Sequence, residues 1–277
     1  GDVARTEWRA RCAQPPYDAL PIPRADIPAG VVLSREGDAW VREDEVEDVA
    51  LALYEGRMIG QFDFSQKGWV NGKGRSAVWR EIPWERKVIE PQFLMAKATY
   101  MERETIRGRG FKCAIMDVTS STNSRTVIAN TLDGVPCGHK SPTLSLERRP
   151  QDTPALSAVL DSFGFDYLIR LKLGGNSLIW SVLGETPAPG RAEAAATLVS
   201  VSVNLEIPAP KYSTAWLSTG GEGHWRSRWS LGATRRLELL VQVDAVTLAL
   251  FGLQGDDVEH ILAGCDRADV VSARSDA

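Results

Sequence analysis

The sequence predicts an α+β fold, in which a mixed or antiparallel sheet platform carries helices and a C-terminal helical segment closes the chain. Short apolar runs separated by turn residues recur before residue 150, as expected for strands. Two longer segments, 154–173 and 234–251, have apolar residues at helical spacing and end at glycine. With 277 residues, 43% of them hydrophobic, the chain can bury a substantial core.

Residues 1–50 form an N-terminal segment with little periodicity. Five prolines between residues 15 and 28 predict an extended path. Residues 30–41 are typical of a hairpin that turns at 36–38. The chain begins at Gly1 without a methionine, so we expect it to be part of a longer protein.

A strand over 51–64 leads into the glycine-rich segment 68–74, whose sequence is GWVNGKG. Lys67, Lys73 and Arg75 surround this segment, and backbone N–H groups near glycine can approach a phosphate closely. It is not a P-loop, because no Gly-Lys-Ser/Thr sequence leads into a helix. A plain hairpin loop with solvated lysines explains the pattern equally well.

The segment 100–110 brings Arg103, Arg107 and Arg109 close together in sequence. Strands are then predicted over 111–118 and from residue 125 onwards, with a polar turn at 120–124 between them. Arginine pairs bidentately with phosphate or guanine. The turn therefore has the composition of a loop that reads bases or backbone, with these candidates: Asn123, Arg125 and Thr126.

The rest of the chain is predicted to be mainly helical. The helix over 154–173 precedes a boundary at 187–190, which is rich in proline and glycine. Residues 192–203 are predicted as a helix running into a strand, 208–223 as a loop, and 256–262 as a short capped helix. We therefore divide the chain into 1–50, 51–186 and a mostly helical 187–277.

Charge is distributed unevenly along the chain. Residues 55–149 contain sixteen Lys or Arg against ten Asp or Glu, whereas the whole chain has a net charge of −4. An acidic protein with a basic middle is expected to present that middle to a polyanion.

The sequence gives little indication of a metal site, a membrane span or a redox motif. The four cysteines and three histidines are scattered and form no CxxC pair, so we assign no metal and expect a reduced, cytoplasmic setting. The longest apolar candidate, 237–253, is interrupted by Glu238, Gln242 and Asp244, so no membrane span is predicted.

Two short patterns resemble catalytic motifs, and neither supports an assignment. The sequence Gln14–Tyr17 imitates the Pro-Pro-Tyr loop of amino methyltransferases, but its first residue and its polar lead-in are wrong. Asp63 with Glu85 and Lys87 loosely imitates a nuclease site, but Pro83 and Trp84 interrupt it. We therefore assign no catalytic residue.

Several segments in order resemble one family. The segment 53–59 (LYEGRMI) with Phe62 and Asp63 resembles the start of the target recognition region in large adenine-N6 DNA methyltransferases. These include the fused type IIG/IIL restriction–modification enzymes and the methyltransferases of BREX-type phage defence. The similarity spans roughly 50–265 and continues in these segments: Tyr100 to Arg103, Asp117-Val118, 123–126, 160–175 and 243–262.

The resemblance implies that residues 51–186 bind double-stranded DNA and read a short sequence in a bacterial-type restriction or defence system. S-adenosylmethionine and the methylation chemistry would belong to a separate domain of the parent protein, so no cofactor is expected in this chain. The alternative is a protein–protein docking or structural domain of a multi-subunit assembly. Under the DNA hypothesis the phosphate contacts would come from these cations: Arg57, Lys67, Lys73, Arg75, Arg103, Arg107, Arg109 and Lys140.

Overall fold

A computed structural model describes these residues: 2–4, 31–33, 40–42, 48–84, 87–103, 110–146, 152–189, 195–209, 212, 217 and 232–263. In this part of the chain, small antiparallel sheets combine with seven α-helices and no closed barrel. The predicted α+β class is therefore confirmed. The predicted boundaries at residues 50 and 187 stay predictions.

All the named strands pair antiparallel, in four small sheets. The first has the order β1-β7-β4, from Asp2–Ala4, Phe93–Ala96 and Ala50–Leu53. The second has the order β10-β8-β9, from Thr143–Leu144, Phe111–Ile115 and Ala129–Asp133. The remaining two are the pair β2-β3, Val31–Leu33 with Trp40–Arg42, and the pair β5-β6, Lys67–Asn71 with Val78–Glu81.

The helices follow mainly after the sheets. A first helix follows β7 directly, and the other six lie beyond β10. Their bounds are α1 Lys97–Arg103, α2 Asp152–Leu160, α3 Phe163–Lys172, α4 Trp180–Gly184, α5 Ala195–Glu206, α6 Ala233–Leu250 and α7 Gly255–Ala263.

The pair β8-β9 lies at the centre of the fold. Cys113 and Ile115 belong to a large hydrophobic core with α2, α3, α5 and α6, whereas Ala114 belongs to a second core around Tyr54 and Phe64. Because side chains alternate along a strand, β8 is buried on both faces. The large core draws on residues on both sides of the predicted boundary at 187.

The predicted strand over 51–64 is wrong beyond Leu53. The chain leaves β4, forms a 3-10 turn at Gly56–Met58, and reaches Phe62 with a φ of 54°. This left-handed conformation is costly for a bulky residue and needs support from its surroundings. The Phe62 N–H donates to Asp161 Oδ2 at 3.1 Å, and its carbonyl accepts from Arg236 Nη2 at 2.8 Å.

The predicted helix over 154–173 is two helices, α2 and α3, which separate at Asp161 and Ser162. Ser162 caps α3, because its hydroxyl accepts from the Phe165 N–H. Asp and Ser side chains compete for backbone hydrogen bonds and so favour such breaks. The break frees the Asp161 carboxylate to bond to the chain before α2.

Of the remaining helix predictions, one is partly wrong and two are correct. α5 is helical throughout, so the predicted change to a strand near residue 203 is wrong. α6 and α7 match the predicted helices at 234–251 and 256–262. Within the described residues no single helix has the length and apolarity to cross a membrane; only the bent pair α6–α7, with 118° between its helices, passes by length and composition together.

Candidate nucleic-acid interface

The strands β5 and β6 form a two-stranded ribbon with its own short turn. Gly72 in this turn has a φ of +79°, and a Cβ there would lie 2.3 Å from the Ser76 carbonyl oxygen. Only glycine fits this position without strain. The glycine-rich segment is therefore part of a hairpin, as one of the two sequence interpretations predicted.

The ribbon is the most clearly cationic element of the described structure. The ribbon contains four cations, Lys67, Lys73, Arg75 and Arg80, and one carboxylate, Glu81, which lies at the end of β6 opposite Lys67. Arg80 forms a two-point ion pair with Glu90, with N–O distances of 2.6 and 3.1 Å. Lys73 and Arg75 are exposed at the turn, and neither forms an ion pair with a described residue. The turn therefore presents two uncompensated positive charges to solvent.

Arg57 lies against the same ribbon. Its guanidinium carbon is 5.2 Å from the centroid of the Trp79 ring, a cation–π contact that fixes its position. The neighbouring Gly56 packs so closely on Lys140 that a Cβ would lie 2.5 Å from the Lys140 carbonyl oxygen. Lys140 is itself paired with Asp117, at 2.7 Å. The structure thus brings Arg57, Lys140 and the ribbon together.

The polar turn after β8 is bonded to one buried carboxylate, that of Asp166. Asp166 Oδ1 accepts the backbone N–H groups of Thr126 and Val127, at 2.7 and 2.8 Å. Its other oxygen accepts from Arg170 Nε at 2.7 Å. Two segments quoted for the family resemblance, 123–126 and 160–175, therefore contact each other directly.

Arg170 fixes the turn from its open side. Its guanidinium donates to the carbonyl oxygens of Ser121, Asn123 and Ser124, at 3.3, 2.9 and 2.8 Å. The sequence analysis did not single out Arg170. An acid and an arginine four residues apart on a helix form a recognisable pair, and Asp166–Arg170 was the available signal.

Arg125 and Thr126, two of the three residues predicted to read DNA, have buried side chains. Their exposed fractions are 8% and 1%, because the bonds to Asp166 draw this backbone inwards. The Arg125 guanidinium lies 5.1 Å from the Phe163 ring centroid, and both of its terminal nitrogens are buried without a hydrogen-bond partner. Asn123 alone of the three predicted loop residues has an exposed side chain.

Three of the predicted phosphate contacts have no described side chain. Arg103 is the last residue of α1, with only its backbone described, and Arg107 and Arg109 lie outside the described residues. Gln14–Tyr17 and Glu85 lie outside them as well.

Lys87 and Asp63, the remaining members of the nuclease-like pattern, form a buried ion pair of 2.6 Å. Lys87 also donates to the carbonyl oxygens of Ser65 and Ile82 and stacks on Trp84, and burial lowers its pKa. These contacts give the pair a structural role. Within the described ranges no group of three or more His, Cys, Asp or Glu side chains is placed to hold a metal ion.

Two more buried carboxylates support the central strands. Glu206 Oε2 accepts from the Thr131 N–H at 2.8 Å, and burial raises the pKa of Glu206 to about 8. Asp161 Oδ1 accepts from the Ala129 N–H at 2.8 Å, and burial raises the pKa of this carboxyl well above its ordinary value. Both acids come from the acidic C-terminal half, and both bond to the backbone of the basic middle.

An apolar surface lies elsewhere, beside α3 and α4. Leu171, Ile179 and Trp180 are 68%, 54% and 51% exposed, and Val118 is 54% exposed. Val118 forms a β-bridge with Ser177, which brings it close to the start of α4. We refer to these four residues as the apolar patch. Contiguous exposed apolar groups of this kind mark interaction sites in many proteins.

Comparison of the chain with protein-family models, with curated proteins and with solved structures found no match.

Proposed function

We propose that this chain binds double-stranded DNA as the target recognition part of an adenine-N6 DNA methyltransferase from a restriction–modification or phage-defence system. The ribbon β5-β6 carries the DNA part of the proposal. A two-stranded ribbon fits the width of the major groove, and cations on such an element contact the flanking phosphates. The ribbon has the required shape and charge, with Lys73 and Arg75 unpaired at its turn.

The family part of the proposal rests on the ordered sequence resemblance. It is supported by the contact between two of the resembling segments, through Asp166 and Arg170. The two segments are bonded to each other in the fold, as expected if both belong to one family signature.

The described residues do not suit S-adenosylmethionine. The glycine-rich segment joins two strands, whereas a nucleotide-binding glycine loop joins a strand to a helix. A cavity of about 280 Å³ between α3 and α7 is lined mainly by apolar groups, including Leu168, Phe251 and Ile261, together with the polar side chains of Asp257 and His260. It offers few donors for a charged nucleoside. We propose that a separate domain of the parent protein binds the cofactor and carries out the methyl transfer.

The structure ranks the proposed DNA contacts. Lys73 and Arg75 come first because they are exposed and form no ion pair with a described residue, and Arg57 and Lys67 lie on or beside the same ribbon. Lys140 contributes less, because Asp117 already compensates its charge. Asn123 remains a candidate for contact at the polar turn. Arg103, Arg107 and Arg109 stay predictions.

The test is binding of the chain to random-sequence duplex DNA across a salt series. We expect affinity to fall steeply as salt rises, with a slope near −0.9 for each phosphate contacted. The double variant Lys73→Ala/Arg75→Ala should weaken binding and make the slope shallower by about 2. The matched control Lys172→Ala/Arg235→Ala removes two exposed cations from α3 and α6 and should leave the slope unchanged.

Absence of binding even at low salt would contradict the proposal. An equal loss in the control pair would also contradict it, since binding would then follow total charge and not the ribbon.

A second candidate function is favoured by the apolar patch. In this alternative the chain docks on a partner subunit, or on the methyltransferase domain of its parent protein, through Trp180 and its neighbours. Here Trp180→Ala would abolish association with a separately produced methyltransferase domain, measured by calorimetry, while Lys73→Ala/Arg75→Ala would leave it intact. If Trp180→Ala left that association unchanged, the patch would not be the docking surface.

A further inference from the structure

The outward face of the ribbon carries an unusual combination of side chains. Trp69 lies opposite Trp79, and a bulge then places both Val70 and Asn71 opposite Val78. Trp79 packs on the second hydrophobic core, so this cross-strand pair faces the body of the protein. Val78 precedes Trp79 in the strand and therefore points to the opposite side. Its exposure, 50%, agrees with this direction.

Three side chains on this outward face are unused by the fold. Val70 is 44% exposed beside Val78, and Asn71 is exposed as well. The Asn71 amide forms no hydrogen bond with any described residue. Exposed β-branched apolar side chains on a short ribbon contribute little to stability. Two of them beside a free amide form a surface suited to recognition.

The chemistry of this surface matches an A·T base pair. In the major groove adenine presents its N7 acceptor and N6 donor, which an asparagine amide can bond at two points. Thymine presents its C5-methyl group, which accepts an apolar contact. Asn71 supplies the amide, and Val70 and Val78 supply the apolar contact. We propose that these three residues read an A·T base pair in the major groove of the DNA.

Charge selects DNA over a protein as the occupant of this face. The ribbon that carries the three residues contains four cations and one carboxylate, Glu81, which lies at the end of β6 away from the turn. Lys73 and Arg75 at the turn would contact phosphates on either side of the groove. The inference rests on the proposed function, because it specifies what the same ribbon recognises once DNA is bound.

The experiment begins with selection of bound sequences from a random duplex pool by the chain of residues 1–277. The enriched consensus is then synthesised, and thymine is replaced by uracil at one position at a time, which removes only the C5-methyl group. We expect one A·T position at which uracil weakens binding about four-fold, the value of one buried methyl group. In Val78→Ala this difference should disappear.

Asn71→Ala tests the amide at the same base pair. We expect its preference for adenine there to fall about ten-fold, while its salt dependence stays that of the unsubstituted chain. The control variants Asn176→Ala and Val241→Ala remove an exposed amide and an exposed valine elsewhere, and both should keep the consensus. Thermal melting checks that every variant folds.

The outcomes separate the two proposals. Two outcomes would overturn the reading of an A·T pair but leave the proposal of DNA binding intact. One is salt-dependent binding without a consensus sequence, and the other is a uracil effect that persists in Val78→Ala. An Asn71→Ala variant with an unchanged consensus does the same. Absence of salt-dependent binding by the chain overturns both, and the outward face would then fit a protein partner.

Discussion

The ribbon β5-β6 and the strand pair β8-β9 both come from the basic middle of the chain, yet they are held in opposite ways. β8-β9 is covered on both faces, and buried acids bond to the backbone of β9 and of the segment before it. The ribbon is covered on one face, where Trp79 and Arg57 stack, and its turn carries exposed cations.

The difference explains the uneven charge of the sequence. Asp161, Asp166, Glu206 and Asp244, all from the acidic C-terminal half, are buried, and each accepts at least one backbone N–H. At least one oxygen of each carboxylate is therefore used as an acceptor inside the protein. The cations of the ribbon turn have no such internal role, and they remain available at the surface.

The largest effect is expected from removing the carboxylate beneath the polar turn. Asp166→Ala deprives Thr126, Val127 and Arg170 of an acceptor, and breaking a buried pair of this kind costs about 3 to 5 kcal/mol. Urea unfolding measures the loss. Glu238→Ala, an exposed partner of Arg235, is the control and should cost less than about 1 kcal/mol. Equal costs would show that the turn is not held by Asp166.

An effect on the order of a few kcal/mol is expected from the pH dependence set by Glu206. Its pKa rises from 4.5 to about 8 on folding, so the folded state keeps a proton that the unfolded chain loses. The contribution of Glu206 to the free energy of unfolding should therefore be greatest below pH 4.5. This contribution should fall as the pH rises to about 8. Glu206→Gln should make this decline shallower.

Denaturant unfolding at several pH values measures that decline in both proteins. Burial also raises the pKa of Asp161, so part of the decline should remain in Glu206→Gln. Identical slopes over this window would mean that Glu206 ionises normally in the folded protein.

The smallest effect on stability is expected at the ribbon, which is held by the stacking of Arg57 on Trp79 and not by a buried acid. A double-mutant cycle of Arg57→Ala and Trp79→Leu should give a coupling free energy of about 0.5 to 1 kcal/mol. The same cycle with Arg75→Ala should be additive, since Arg75 stacks on no described ring. A coupling free energy between Arg57 and Trp79 as large as the loss expected for Asp166→Ala would mean that the two regions are held equally strongly.

Local patterns predicted the elements that depend on local forces. Helices α6 and α7 follow from apolar spacing and their glycine and aspartate ends, and the pairing of β2 with β3 follows from the hairpin pattern. The strand at 111–115 was predicted from its apolar composition. Each of these signals lies within the element itself.

The failures involve bonds between distant parts of the chain. The Phe62 N–H bonds to an acid 99 residues away, and its carbonyl bonds to an arginine 174 residues away. Burial of Arg125 depends in the same way on Phe163 and Asp166, beyond the next strand. No local pattern encodes such partners, so the sequence predicted a strand at the first site and gave no sign that the Arg125 side chain is buried at the second.

The ribbon's strands are separate from the other sheets, and this separation has a consequence for the DNA recognition that we propose. Its strands pair with each other, and its outward residues take no part in either hydrophobic core. Substitutions at Val70, Asn71 and Val78 can therefore accumulate at little cost to folding. Gly72 is the fixed point, because the turn needs its positive φ and leaves no room for a side chain. Under the proposed function, exchange of these three side chains would change the DNA sequence that is read while the rest of the fold stays the same.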